Sequence, residues 1–279
     1  MARTPGPFLL WNMPHVMFCT EREGAQSLPV FLHVPLTKEN LSVMIPDLSP
    51  FFIRYEALVK SVDAVFERVA STHGACVKCH SGCSDCCHAL FDLSLIEALY
   101  LNTRFKERFS YGAKRSAILT EAAAADRRIT VLKRDYFRTM RDKGREVVTE
   151  EAATEAVHDV MEQVAHDRVR CPLLGADDTC LMYEERPITC RLYGIPTEIE
   201  GKAHVCGKSG FLPGTPYPTV HLGKIQDRLD ELSLDVQNAV QSRFKELHKV
   251  YVPVSMALLT NYDEKYLGIG PAPDPRKEF

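Results

Sequence analysis

Residues 49–74 read SPFFIRYEALVKSVDAVFERVASTHG. Within them Phe52, Tyr55, Val59, Val62, Phe66 and Val69 recur at steps of three and four, the period that lines one stripe of an α-helix. Ser49 stands where a cap is wanted and Gly74 where a stop is wanted. A helix with one apolar stripe must bury it against another element, and four further segments of the same kind lie downstream. Ser94-Leu95-Ile96-Glu97 has the form of a capping box, in which a serine and a glutamate three residues on satisfy the first backbone amides. It predicts a helix running toward Phe109. The stretch from about Ala113 to Lys143 puts Ile118, Ala122, Ala125, Ile129, Leu132, Tyr136 and Met140 on one stripe, with Gly144 at its end. Two more helices are predicted from Thr149 to about Arg168 and from about Gly223 to Lys249, the latter facing inward through Ile225, Leu229, Leu232, Val236, Val240, Phe244 and Leu247. Five such helices make a mainly α protein, an irregular helical bundle.

Upstream the pattern breaks. Pro5, Pro7, Pro14, Pro29, Pro35 and Pro46 interrupt short apolar runs, and a proline ring both removes a backbone donor and clashes with the preceding helical turn. Residues 1–48 therefore read as short extended pieces, paired around Glu23-Gly24 and packed on the helical core of residues 49–270. The tail from 271 to 279 is expected to be loose, with Pro273 and Pro275 in it.

Charge and composition exclude several function classes. The 279 residues carry 34 Lys plus Arg against 37 Asp plus Glu, so a net charge of -3 offers no broad basic field for a phosphate backbone. Nucleic acid is not an expected partner. No uncharged stretch approaches the roughly 20 apolar residues of a membrane span, and the opening residues lack a sustained apolar leader core. A cytosolic, reducing setting follows as the expectation, and there clustered thiols bind metal or do redox chemistry more often than they pair as disulfides.

The chain has ten cysteines, eight of them between Cys79 and Cys206. They fall in two irregular stretches, Cys76 to His88 and Cys171 to Pro218, which are poor in apolar periodicity and rich in Gly and Pro. Segments with so little to bury need another source of order, and a metal centre supplies it. The first reads Cys79-His80-Ser81-Gly82-Cys83-Ser84-Asp85-Cys86-Cys87, where Gly82 permits a backbone angle that turns thiols inward. In the second, Cys171, Cys180, Cys190 and Cys206 stand at wider spacings, with a hairpin expected at Glu200-Gly201. Thiolates around a dication leave excess negative charge, so a cation is expected close by. Arg191, directly after Cys190, is the strongest choice over Lys78, Lys202 and Lys208. Adjacent Cys86 and Cys87 would point oppositely in an extended segment, implying two centres, or one ligand beside a free thiol, and mildly favouring an iron-sulfur cluster over a lone zinc. His80, His88 and His204 read as outer donors.

Cys79-x3-Cys83-x2-Cys86-Cys87, followed by Cys171-Pro172-x-Leu174, Cys180-x2-Tyr183-x2-Arg186-Pro187-x2-Cys190-Arg191 and a distal Cys206, resembles the YkgJ-type cysteine-cluster family of zinc- or iron-chelating CxxCxxCC proteins. The resemblance spans about Cys79 to Cys206 and departs from the commoner form by three residues, not two, between the first two cysteines. It implies that Cys79, Cys83, Cys86, Cys87, Cys171, Cys180, Cys190 and Cys206 ligate metal, with Cys19 and Cys76 outside the pattern. Distant relatives are flagellin lysine N-methylases with an iron-sulfur cluster, which raises lysine methylation as an activity. Here, however, no Gly-x-Gly-x-x-Gly turn follows a strand to cradle a nucleotide-like cofactor. The expected function is a cysteine-ligated metal protein, with an iron-sulfur cluster as cofactor or zinc as the alternative, meeting a redox partner or a protein substrate.

Overall fold

The computed structural model describes residues 45–146, 163, 164, 166–199 and 201–270. Its helices are α1 (Ser49–Thr72), α2 (Leu95–Arg108), α3 (Ala113–Glu146), the short α4 (Ile188–Leu192), α5 (Leu222–Ala239), α6 (Val254–Leu259) and α7 (Glu264–Leu267). The mainly α class expected from the periodicity is therefore present. The extended segment before 45, most of the helix expected from Thr149 to Arg168 and the tail from 271 lie outside the described residues. Residues 163, 164 and 166 are helical.

α1 buries Phe52, Tyr55, Val62 and Val69 along its predicted stripe. Its start differs by one position, because Leu48 is the N-cap and the Asp47 carboxylate takes the Ser49 amide at 2.9 Å. α2 is the hub. Leu95 through Asn102 are all buried, as is Phe105, so this helix is enclosed rather than amphipathic. Its buried polar groups accordingly have partners. Asn102 donates through Nδ2 to the Ala257 carbonyl of α6 at 2.8 Å, and Ser233 Oγ of α5 accepts the Ile96 amide at 3.3 Å. α1, α5 and α6 all pack on α2, while α3 lies along α6 and α4 lies on α1.

Two small sheets join distant parts. β1 (Asp92–Leu93) pairs antiparallel with β5 (Val252–Pro253), Leu93 opposite Val252. The hairpin expected at Glu200-Gly201 is formed by β2 (Thr197–Ile199) and β3 (Lys202–His204), with β4 (Val220–His221) added parallel to β2. The helix expected to reach Lys249 stops instead at Ala239. Gln241 takes a positive φ of 50°, which a continuing helix does not tolerate, and the Gln237 side chain folds the chain back by accepting the His248 amide at 2.9 Å. Phe244 is consequently exposed, whereas Leu247 is buried.

Candidate metal centre

The first thiol segment leaves α1 and is guided by backbone turns. Gly82 adopts φ 83°, beyond the range of an L-side chain at low cost, and the Cys83 amide closes on the His80 carbonyl at 3.0 Å. A 3-10 turn, Asp85–His88, then carries Cys86 and Cys87. The segment runs directly beside the second, since Cys171 donates its amide to the Cys87 carbonyl at 2.7 Å and Val169 donates to His88 at 3.1 Å. The Cys171–Cys180 loop closes on itself through Leu181 N–H to Leu173 O at 2.8 Å. Cys190 arrives on α4, anchored at its first residue by the buried Glu97 of α2, whose Oε1 accepts the Ile188 amide at 3.1 Å.

Cys86, Cys87, Cys171, Cys180 and Cys190 all line one apolar cavity of about 90 Å³. Cys86 and Cys87 share it because a tight turn, unlike a strand, does not send successive side chains to opposite faces. Cys79, Cys83 and Cys206 make a second set outside that cavity. Cys206 Sγ sits 3.5 Å from Asp85 Oδ2 and accepts the Lys208 amide at 3.4 Å. The Cys79 sulfur lies against Gly194, where an added Cβ would overlap it. Cys76 is held to the Cys206 loop by the Gly210 amide at 2.8 Å. All nine described cysteines are free thiols; Cys19 lies outside the described residues.

Three sulfurs share a local device. Cys171, Cys180 and Cys206 each accept the backbone amide two residues on, from Leu173, Met182 and Lys208, an arrangement that favours the thiolate. Burial opposes it. Burial, then neighbouring Cys180 and Cys86, push Cys171 up to about 12, and burial with Cys83 and Cys206 pushes Cys79 up to about 11. Cys190 is raised as well, by burial first and then by Cys86, Cys171 and Cys180. In the Cys86–Cys87 pair the hydrogen bond from Cys87 lowers Cys86, and Cys87 is held protonated. Thiols that obstruct one another's ionisation in this way are relieved by a cation among them.

The charged neighbours differ from expectation. Arg191, expected to face the thiols from its place beside Cys190, is 5% exposed and turned away: Nη1 meets Asp63 Oδ2 at 2.7 Å, Nε donates to the Arg186 carbonyl at 2.9 Å, and Nη2 donates to Glu184 O. Helical rotation between neighbours explains this, for residues adjacent on α4 leave in different directions. Arg186 takes the place instead. It lines the cavity, its charge lowers the Cys86, Cys79 and Cys180 thiols, and its guanidinium lies 3.7 Å over the Tyr183 ring. Tyr183 itself is 56% exposed. Lys208 reaches toward Asp85 at 3.9 Å. His80 and His88 engage the Ser81 and Ser84 carbonyls through Nδ1 at 2.8 and 3.0 Å.

Among the described residues, no three His, Cys, Asp or Glu side chains converge as they stand on a point that could hold a single metal ion. A lone zinc needs sulfurs gathered about 2.3 Å from one point, whereas a cluster takes its four thiolates at separate iron corners. Five thiols spread around one apolar cavity fit the second donor pattern better than the first. No helix among the described residues is long and apolar enough to cross a membrane. The chain matches no family model, no curated protein and no solved structure.

Proposed function

We propose that this protein is a cysteine-ligated metal protein that carries an iron-sulfur cluster in the cavity between its two thiol segments. The observation that carries the reading is the shared cavity of Cys86, Cys87, Cys171, Cys180 and Cys190. Four of these would hold the cluster, Arg186 would offset its charge, and the apolar walls would keep water away. Bound there, a cluster supplies one-electron chemistry at a potential set by net charge, hydrogen bonds to sulfur and exposure. The amides of Leu173 and Met182, aimed at Cys171 and Cys180, are such hydrogen bonds. Electron exchange with a protein partner is the role this arrangement serves most directly.

Anaerobic purification followed by iron, sulfide and zinc analysis tests it. A brown protein with iron and acid-labile sulfide in equal amounts is expected. A colourless, iron-free protein that yields zinc to a chelator removes the cluster reading in favour of a structural zinc module. For the methylase reading, the loaded protein is given S-adenosylmethionine and a lysine-containing protein; no product above the blank removes that activity.

A further inference from the structure

Glu97 is the carboxylate most deeply enclosed near the thiols, at 5% exposure. Three of its hydrogen bonds tie it to α2 and α4: Oε2 accepts from the Ser94 amide at 3.1 Å and from Ser94 Oγ at 3.0 Å, and Oε1 accepts the Ile188 amide at 3.1 Å. A capping glutamate ordinarily serves its own helix at the surface. Here one oxygen caps α2 and the other fixes the first residue of α4, two positions before Cys190. The surroundings hold few compensating charges. From α1, Tyr55 turns its hydroxyl to the same carboxylate. From α4 come Cys190, which feels the Glu97 charge, and Arg191, whose charge Tyr55 feels but which is paired with Asp63. Beside β5, Tyr251 feels the Glu97 charge while its hydroxyl donates to Asp230.

We propose that Glu97 is a positioning residue of the thiol-held centre that also sets its potential, fixing Cys190 through Ile188 and taking up a proton when the centre gains an electron. The inference rests on the iron-sulfur reading. The step balances as one electron from a low-potential one-electron donor entering the centre and one solvent proton adding to a Glu97 oxygen, so that the buried region gains no net charge. Burial already holds the Glu97 carboxyl above the ordinary range, which places its proton within reach of that added negative charge.

The test is a potentiometric titration of the full iron-loaded chain at a series of pH values, comparing wild type with Glu97→Gln. The wild-type potential is expected to fall as pH rises, approaching about 59 mV per tenfold change in proton activity for one electron. E97Q keeps an acceptor for Ile188 but has no proton to exchange, so its potential is expected to lie higher and to be flat with pH. Ser94→Ala, which removes one donor to the carboxylate, is expected to move the sloping window to higher pH, and it serves if E97Q does not fold. An iron-loaded E97Q with wild-type slope and potential overturns the proposal alone, as does an S94A protein with an unmoved window. An iron-free wild type overturns the parent reading and this one with it.

Discussion

The Cys171 amide is bonded to the Cys87 carbonyl at 2.7 Å, joining two thiol segments that stand 84 residues apart in sequence. Two adjacent backbone bonds, this one and Val169 to His88, make the convergence a property of the main chain rather than of any metal. It also divides the cysteines, since Cys86 and Cys87 face the cavity while Cys79 and Cys83 stay with Cys206. The thiols are therefore not equivalent. Cys180→Ser is expected to lose most bound iron, because a hydroxyl is a hard, poor substitute for a thiolate. Cys206→Ser is expected to retain most of it. Iron and sulfide per chain after anaerobic purification decide the matter, and equal losses in both variants would mean one centre drawing on all the thiols.

Arg191 and Arg186 separate structure from chemistry. Truncating Arg191 to alanine strands a partly buried Asp63 carboxylate and two main-chain oxygens, at a cost of roughly 2–3 kcal/mol, below that of a fully buried pair because Asp63 is part-exposed. The loss should appear in urea melts of the metal-free protein. Arg186→Gln removes a cation from the cavity wall without breaking an ion pair, so it should change stability by less than about 1 kcal/mol. Its effect should be slower alkylation of Cys86 near neutral pH, as the thiolate there loses a neighbouring positive charge. Iodoacetamide rates mapped by peptide mass would show an unchanged Cys86 if Arg186 is only a surface group.

Protonation gives opposite pH limbs with and without metal. In the metal-free fold Cys171 is pushed up to about 12 and Cys79 to about 11, and Cys180, Cys190 and Cys206 are also raised, all chiefly by burial. Unfolded thiols ionise near 8.5. Above that pH the unfolded chain sheds protons the folded chain keeps, so stability is intact below about 8.5 and falls as pH rises toward 12. Cys86, lowered by its hydrogen bond from Cys87, opposes the trend as a single group. With metal bound the thiols are already ionised, and protons compete for them only on the acid side. Thermal midpoints against pH should therefore fall in alkali for the metal-free protein and in acid for the loaded one.

The helices were legible because their stripes are local. Phe52, Tyr55, Val62 and Val69, the Ser94–Glu97 box, and Ile118, Ala122, Ala125 and Tyr136 lie buried where the 3.6-residue period puts them, with Val59, Phe66, Ile129 and Leu132 half-buried between. The end of α5 was not legible, since Gln241 carries no proline or glycine signal and the turn is made by a side chain, Gln237, reaching eleven residues ahead. Within the site, the gathering of Cys86 and Cys87 with Cys171, Cys180 and Cys190 follows the motif order. Cys79, Cys83 and Cys206 lie outside the 3-10 turn that carries Cys86 and Cys87 to the cavity, and spacing does not encode that division. Arg186 stood inside the Tyr183 to Arg191 motif, and its position between Cys180 and Cys190 was the one available signal. Glu97 was visible as a cap for α2, but its second partner, Ile188, is 91 residues away.

Gly194 offers a test of how tightly the outer thiols are seated. It is buried two residues beyond α4, and its Cα faces the Cys79 sulfur so closely that a methyl group would occupy the sulfur's place. Phe66 of α1 backs the same spot at 3.6 Å, leaving the methyl little room on that side, whereas Cys79 is exposed and free to swing outward. Gly194→Ala should therefore cost roughly 1–3 kcal/mol, the range for adding one carbon to a filled space, and should displace Cys79 toward solvent. Cys79 would then leave its neighbours Cys83 and Cys206, lose part of the burial that raises its pKa, and alkylate faster at pH 8. Cys171 and Cys180, on the far segment of the inner cavity, should keep wild-type rates. Faster labelling of all five cavity thiols would show instead that the two sets move as one body.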